Sequence, residues 1–293
     1  MKRLVLGTRG SDLARAQTAL VATALRTNDP DIEIAVEIIT TRGDVGEQGR
    51  KGLFTGEIER ALASGEIDVA VHSAKDLPSE QTAGLEISAV LPRGGVEDVL
   101  IAKDAVDFNT LRAGGTVATG SVRRQHQLRW RRPDLNLIAL RGNVPTRLRK
   151  LEESAWHAIV LARAGLERLD VDGGKFRISI LPRDEFLPAG GQGIIAMQIR
   201  TEDDGTRRMV APANHDPTLL CLRAERGFLR LLQGDCGTPV GVFATTDNGL
   251  LTIQAQLFDE KRAEPRAATL QKTIVETTPE ELAADLLELI NGR

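Results

Sequence analysis

The segment IDVAVHSAKDLP, Ile67 to Pro78, decides the fold, because it reads as a strand that crosses a protein core and ends in polar residues. Ile67, Val69 and Val71 occupy alternate positions, and successive side chains of a strand point to opposite faces. If these apolar side chains are buried, the end of the strand presents polar groups toward any cleft between domains. Those groups are Ser73, Lys75 and Asp76.

The polar end of this strand is compatible with catalysis. A carboxylate such as Asp76 can stabilise a developing cation or transfer a proton, and Lys75 can serve as a Schiff-base amine or as a charge partner. A simple salt bridge at the end of the strand explains the same residues equally well. His72 is interpreted as a structural residue.

The segments on either side alternate between strand and helix patterns. The chain opens with a strand, a glycine-rich turn and a helix for which Ser11 is the expected N-cap. A later helix is expected to end at Gly65, and strand–helix pairs follow through residue 169. This alternation predicts a mostly parallel α/β architecture. Two LPR segments, near Leu91 and Leu181, look like crossings between domains.

The pattern changes after about residue 210. Asp216 and Pro217 begin a helix expected to stop at Gly234, and a strand pair joined through residues 247–249, Asp-Asn-Gly, predicts a hairpin. Thr278 and Glu281 form a capping box at the start of a final amphipathic helix. We therefore predict a small α+β domain at this end of the chain. The sequence shows no internal repeat.

Composition excludes several classes of protein. A chain of 293 residues should hold two or three domains, and its two cysteines do not make a disulfide framework. The first residues lack a signal-peptide core, and no stretch approaches the ~20 apolar residues of a membrane span. With seven Phe, two Trp and no Tyr, platforms for stacking bases are sparse. We expect a cytoplasmic protein that binds neither membrane nor nucleic acid.

A net charge of −3 conceals a basic segment. Residues 123–150 hold nine Lys or Arg and one acid, Asp134, which is a local excess of +8. The stretches GTRGS, ATGSVRR and LRGNVPTR are each predicted to join a strand to a helix, and helix N-termini bind anions. The arginines that accompany them are Arg9, Arg123, Arg124, Arg141 and Arg147, and the hydroxyl donors are Ser11, Thr119 and Ser121. Any one of these arginines, taken alone, is more simply solvated or paired with a surface acid, but five that follow three such turns indicate an anion. The pattern does not distinguish a carboxylate from a phosphate.

The two cysteines call for different explanations. Cys221 lies in an apolar helical repeat and is expected to be a small core residue. Cys236 lies in a loop, GDCGTP, where a thiol is hard to bury. A metal site would need a second ligand near Cys236, and the sequence has none there, so no metal is expected. A redox thiol, an exposed cysteine without function and a covalent attachment point all remain open.

Read together, these motifs resemble the porphobilinogen deaminase (hydroxymethylbilane synthase) family over nearly the full chain. The motifs that carry the resemblance occur in the order of the family. They are GTRGS, TRGD, KGLFTGEIE, DVAVHSAKDLP, TGSVRRQ, RRPDL, LRGNVPTRL, AGLERL and GDCGTP.

The resemblance implies an α/β fold of three domains. The first two resemble the type II periplasmic binding proteins, and the third is the small α+β domain that carries the cofactor cysteine. Domain 1 would comprise residues 1–91 plus 187–206, domain 2 residues 95–184, and domain 3 residues 210–293.

The resemblance also implies a transferase of tetrapyrrole and haem biosynthesis. Its substrate would be porphobilinogen, four molecules of which are joined head to tail with loss of ammonia to give hydroxymethylbilane. The primer would be a dipyrromethane held by a thioether to Cys236, and the protein is expected to be a monomer.

Site roles follow from the resemblance residue by residue. Asp76 would be catalytic. The cofactor would be held by Ser73, Lys75, Thr119, Ser121, Arg123, Arg124 and Arg147. The substrate would be bound by Arg9, Ser11, Phe54, Arg141 and Arg168.

Two other functions fit part of the pattern. A non-catalytic, two-lobed protein that closes on a carboxylate-bearing molecule also needs the arginine-lined turns, but it does not need Asp76 and Cys236 together. A lyase that forms a Schiff base through Lys75 is the third hypothesis.

Overall fold

The computed structural model describes residues 3–41, 55–233, 238–259, 262 and 264–292. Its β-strands are β1 Arg3–Thr8, β2 Glu33–Ile38, β3 Val69–Ser73, β4 Leu85–Val90, β5 Asp98–Ala102, β6 Thr116–Ala118, β7 Asn136–Ile138, β8 Ala158–Ala162, β9 Arg177–Ile180, β10 Ile195–Arg200, β11 Val240–Asp247, β12 Leu250–Leu257 and β13 Arg266–Thr273. Its α-helices are α1 Asp12–Asn28, α2 Gly56–Ser64, α3 Val122–Arg131, α4 Val144–Glu153, α5 Arg163–Glu167, α6 Asp204–Val210, α7 Asp216–Leu231 and α8 Pro279–Ile290. Short 3₁₀ turns cover Ala74–Asp76 and Ala211–Ala213.

Two sheets share one strand order. The first runs β2-β1-β3-β10-β4, and the second runs β7-β6-β8-β5-β9. In each sheet the first three strands are parallel, and the fourth, β10 or β5, is antiparallel to its neighbours. The expected α/β class with two similar lobes is confirmed, but the prediction of mostly parallel sheets is wrong, because each of these sheets has two parallel and two antiparallel strand pairings. The sequence had shown no repeat, because the lobes share a topology and not a residue pattern.

Local signals placed the start of α1 and the end of α2 correctly. The Ser11 hydroxyl accepts a hydrogen bond from the Ala14 N–H at the start of α1, and α2 ends at Gly65, whose φ is +80°. A left-handed residue after a helix favours glycine, because any Cβ there is strained. Both sequence predictions are confirmed.

The third part of the molecule is a sheet in the order β11-β12-β13, covered by α7 and α8. Asn248 and Gly249, at φ +48° and +77°, form the two-residue turn that the sequence predicted. The Thr278 capping box is confirmed, and Cys221 is buried in this core as expected. Helix α7 ends at Leu231, before the Gly234 that was expected to stop it, and Gly234 lies outside the described residues.

Several strands were not predicted. Strand β13 has half-buried and exposed side chains along its length, so its sequence, RAATLQKT, lacks the apolar alternation of a core strand. Strands β4 and β10 pair with each other in the first sheet, and β5 and β9 pair with each other in the second; the sequence analysis predicted none of these four. Among the helices of the described residues, none has the length and apolar character that a membrane crossing requires.

The chain passes between the lobes twice, and the two passages lie side by side. The Gly94 N–H donates to the Gly193 carbonyl at 3.0 Å, and the Arg93 Nε donates to the Gln192 carbonyl at 2.8 Å. We call residues 91–97 the first crossing and residues 187–194 the second crossing. The domain boundaries given above stay a prediction.

A fully buried carboxylate joins both crossings to the third part. Glu225 of α7 accepts from the Arg93 guanidinium at 2.6 Å, from the Gly191 N–H at 2.6 Å and from the Ala244 N–H of β11 at 2.7 Å. A buried ion is tolerated when it is both paired and hydrogen-bonded. The position of α7 is therefore tied to the passage between the lobes.

We expect Glu225→Gln to lower the free energy of unfolding by about 3–5 kcal/mol, because it leaves the Arg93 charge without its buried partner. The matched control is Glu280→Gln on α8. It breaks an exposed ion pair with Arg223, which lies on α7 as Glu225 does, and it should lower the free energy of unfolding by about 1 kcal/mol or less. Urea unfolding followed by circular dichroism measures both. Equal losses in the two variants would contradict the importance of the buried contact.

Candidate active site

The turn after β3 carries the central residues. Ala74 and Leu77 are buried and pack with Ile194, Ala196 and Leu222, which holds the turn from both ends. Lys75 and Asp76 lie between these two apolar contacts and stay half-buried. We call residues 73–79 the catalytic turn, after the role that the sequence analysis expects of Asp76. Its polar residues follow a buried strand, as the sequence predicted.

Ser73 is held by a residue that sequence reasoning missed. The Gln17 side chain donates to the Ser73 Oγ at 2.8 Å, and its oxygen accepts from the same hydroxyl at 3.0 Å. Gln17 is buried on the face of α1 that otherwise holds Ala14, Thr18 and Val21. A polar residue at a core position was the available signal. Gln17 therefore fixes the hydroxyl at the entrance to the catalytic turn.

Arg123 and Arg124 lie in the first turn of α3, whose N-cap is Ser121. Both side chains are buried, and both bind Asp98, the first residue of β5. Arg123 Nη2 donates to Asp98 Oδ2 at 2.8 Å, and Arg124 Nη2 donates to Oδ1 at 2.7 Å. The sequence analysis missed Asp98, although an acid heading the apolar run DVLIA was visible. Two of the five expected anion-binding arginines are thus paired with a buried acid.

The charges of its neighbours explain why Asp98 is ionised although it is buried. Burial acts to raise the pKa of this carboxyl, but the charges of Arg123 and Arg124 outweigh it and hold the pKa far below its usual range. A third donor is the Gln192 amide of the second crossing, at 2.8 Å from Oδ1. Arg123 also donates to the Leu187 carbonyl at 2.7 Å. The ion triad therefore links α3, β5 and the second crossing.

Lys75 lies in the field of the two arginines. Burial lowers the pKa of Lys75 to about 8, with repulsion from Arg124 adding to the effect and the carboxylates of Asp76 and Asp98 opposing it. The pKa of Arg147 is also lowered, first by burial and then by Arg124, against Asp76. The structure thus brings residues of both lobes together.

We call this group the basic cluster: Lys75, Asp76, Asp98, Arg123, Arg124 and Arg147. It contains four cations and two carboxylates, which leaves an excess of two positive charges in a largely buried site. Mutual repulsion of buried cations is relieved when an anion binds among them. The arrangement therefore suits a ligand that carries carboxylates.

The remaining predicted residues are distributed around the cluster. Thr119 is fully buried and its Oγ1 accepts from the Ser121 N–H at 3.3 Å. Arg9 is half-buried in the turn after β1, and Arg141 is exposed before α4. Arg168 donates to the Gly193 carbonyl at 2.5 Å, so it lies at the second crossing. Phe54 and Cys236 lie outside the described residues.

His72 behaves as a structural residue. It is buried, and its Nε2 lies 3.0 Å from the Gln198 side-chain oxygen. The pKa of His72 is lowered to about 4, mainly by burial; the hydrogen bond to Gln198 acts in the opposite direction, and the charges of Arg226 and Arg9 add to the lowering. Within the part of the chain that the structure describes, no three His, Cys, Asp or Glu side chains are grouped to hold a metal ion.

Comparison with known proteins gives consistent matches. The family model described as "Porphobilinogen deaminase, dipyromethane cofactor binding domain" matches residues 4–208, and "Porphobilinogen deaminase, C-terminal domain" matches residues 219–291. The porphobilinogen deaminase of Roseiflexus sp. (strain RS-1) is 43% identical over 87% of this chain and 85% of that one. That of Chlorobium phaeobacteroides (strain BS1) is 40% identical over 98% and 94%. Among solved structures, the methionine-binding protein MetQ aligns with a TM-score of 0.47 and 11% identity, over 73% of this chain and 91% of that one.

We expect Lys75 to lose its proton near pH 8 in protein free of bound carboxylates, whereas an ordinary lysine does so near pH 10.4. Because the folded-state pKa lies below the unfolded value, the charged amine costs stability below about pH 8, and the cost is relieved as the pH rises toward 10.4. NMR titration of the lysine side chains measures the midpoint, with Lys75→Met assigning the signal. A midpoint above pH 10, unchanged by added carboxylates, would contradict the buried like-charge cluster.

Proposed function

The chain belongs to the porphobilinogen deaminase family, and we propose that it joins four porphobilinogens head to tail, releasing ammonia at each addition and forming hydroxymethylbilane by a final hydrolysis. It is a transferase of tetrapyrrole biosynthesis. The observation that carries the proposal is the positive charge of the basic cluster that its own carboxylates, Asp76 and Asp98, leave uncompensated. Each pyrrole of the substrate and product bears an acetate and a propionate, and these carboxylates match that excess.

The cofactor of the family, dipyrromethane, fits the residues present. Its carboxylates suit the guanidinium, ammonium and hydroxyl donors, and the Nε of Arg123 and of Arg124 is buried without an acceptor among the described residues. When bound, the group supplies the pyrrole carbon to which the first substrate is joined. The residues proposed to hold it are Ser73, Lys75, Thr119, Ser121, Arg123, Arg124 and Arg147, with Cys236 as the covalent anchor.

The residues proposed to hold the cofactor contribute in different ways. Arg123 and Arg124 are held by Asp98, so they contribute a fixed positive field and do not need to reorganise when a carboxylate arrives. Burial, and after it repulsion from Arg124, lowers the pKa values of Lys75 and Arg147, and a bound carboxylate would relieve that repulsion. Ser121 adds a hydroxyl beside the N-terminus of α3, where free N–H groups favour an anion.

Asp76 is proposed to stabilise the cation formed when porphobilinogen loses ammonia. The loss leaves positive charge delocalised over the pyrrole ring and its nitrogen, and the Asp76 carboxylate would accept a hydrogen bond from that N–H. The turn that carries Asp76 is held rigidly by Ala74 and Leu77, which favours a charge placed before the reaction begins. Arg9, Ser11, Phe54, Arg141 and Arg168 are proposed to bind the carboxylates and ring of the incoming substrate.

The two other hypotheses are less well supported. The family models include a cofactor-binding domain, which a simple binding protein does not need. The lowered pKa of Lys75 leaves about a tenth of this amine neutral at pH 7, enough for a Schiff base in principle. Borohydride trapping with substrate should nevertheless leave Lys75 unmodified. The cytoplasmic location and the monomeric state stay proposals from the sequence.

We expect Asp76→Ala to lower the rate of turnover by about 10²–10³-fold, because one preorganised charge is lost from the transition state. The mass excess over the polypeptide that the cofactor contributes, and the circular dichroism, should be the same as in the wild type. The control is Asp12→Ala, an exposed acid in the first turn of α1, which should keep full activity. Near-normal turnover of Asp76→Ala would remove this residue from the chemistry.

The anchor is tested by intact mass. The wild type and the Cys221→Ser control should carry an excess equal to two porphobilinogens less two ammonias, because Cys221 is buried in the third core. Cys236→Ser should have the mass of the bare polypeptide. An excess that persists in Cys236→Ser would place the cofactor elsewhere, and a wild type that gains no mass with porphobilinogen would favour the binding-protein hypothesis.

A further inference from the structure

One face of α7 packs against the catalytic turn. Leu219, Leu222 and Arg226 are spaced three and four residues apart, so they lie on one side of the helix. Leu222 is buried against Ala74 and Leu77, the two residues that bracket Lys75 and Asp76, and Leu219 packs against the same cluster. The third part of the molecule therefore touches the turn on which the proposed chemistry depends.

Arg226 completes this contact with hydrogen bonds. Its Nη2 donates to the Pro78 carbonyl at 2.8 Å and lies 3.4 Å from the Ser79 carbonyl. The pKa of Arg226 is lowered to about 10, first by burial and then by the charge of Arg230, while Glu59 and Glu80 act in the opposite direction. Burying a guanidinium costs free energy, and hydrogen bonds to neutral backbone carbonyls compensate that cost less well than a carboxylate would. Because these carbonyls lie at the end of the catalytic turn, the contact joins that turn to α7.

The same helix leads to the cofactor anchor. From Arg226 to the end of α7 at Leu231 the helix advances about 7–8 Å, and the loop with Cys236 follows in the chain. The neighbouring Glu225 binds the Gly191 N–H of the second crossing. A Cβ at Gly191 would lie 3.0 Å from the Lys75 backbone nitrogen, so the crossing also abuts the catalytic turn.

We infer that Arg226 is a positioning residue that sets the distance between the catalytic turn and the end of α7 that leads to the cofactor cysteine. It acts through the Pro78 and Ser79 carbonyls and touches neither substrate nor cofactor. The inference rests on the proposed function, because this distance affects catalysis only if the turn and the cofactor cysteine take part in the same reaction. The apolar contact of Leu222 has no preferred direction. Hydrogen bonds do, so those of Arg226 fix the position of the turn relative to α7.

The first test compares Arg226→Met with Arg223→Met, an arginine on the same helix that pairs with Glu280 at the surface. A misplaced reacting group costs rate more than ground-state binding, so Arg226→Met should lower kcat by about 10–100-fold and change KM for porphobilinogen by less than about twofold. Arg226→Lys, which can donate to one carbonyl, should recover part of kcat. Arg223→Met should match the wild type in both constants.

The second test is independent of activity. Hydrogen–deuterium exchange of the peptide covering residues 74–81 should be faster in Arg226→Met than in the wild type or Arg223→Met, in protein that carries its cofactor. If Arg226→Met does not fold or does not take up the cofactor, Arg226→Lys is compared by the same two measurements and should show the same changes in smaller degree.

The outcomes separate the two proposals. A kcat and an exchange rate equal to those of Arg223→Met would overturn the inference. Faster exchange in residues 74–81 with unchanged kcat would also overturn it, since the turn would then move without consequence for the reaction. An inactive wild type that carries its cofactor would overturn the proposed function, and the exchange measurement alone would then show whether Arg226 holds the turn.

Discussion

The buried carboxylate of Asp98 is the constraint on which the site depends. It binds two guanidinium groups of α3 and the Gln192 amide of the second crossing, all between 2.7 and 2.8 Å. Three charges buried together are tolerated only when each finds its partner. Strand β5, helix α3 and the second crossing must therefore meet in one arrangement, and that arrangement brings Arg124 into the field of Lys75.

The site that results is basic because Asp98 and Asp76 compensate only half of its cations. Such an excess would be a cost in a protein without a ligand, since buried like charges repel. It becomes favourable when carboxylates enter, and a growing chain of pyrroles brings two with each unit. Rigid supports on both sides, Asp98 beneath the arginines and Leu222 beneath the turn, keep these charges in place before substrate arrives.

Local chemistry made much of the fold predictable. Ser11, Gly65 and the pair Asn248 and Gly249 lie where caps and turns require them, because each obeys a backbone rule that neighbours in the chain decide. Strand β13 and the common strand order of the two lobes were missed. Both depend on pairing between distant segments, which leaves little trace in the periodicity of any one strand.

The sequence by itself determined the types of the elements, the excess of arginine, the residues of the catalytic turn and the family to which the chain belongs. The tertiary structure alone decided which arginines meet an acid: Asp98 lies 25 and 26 residues before Arg123 and Arg124, and 94 before Gln192. It also decided that Gln17 holds Ser73 and that Arg226 holds the carbonyls beyond Asp76. Such contacts follow from the order of strands and the passage between lobes, and side-chain spacing along a chain does not encode them.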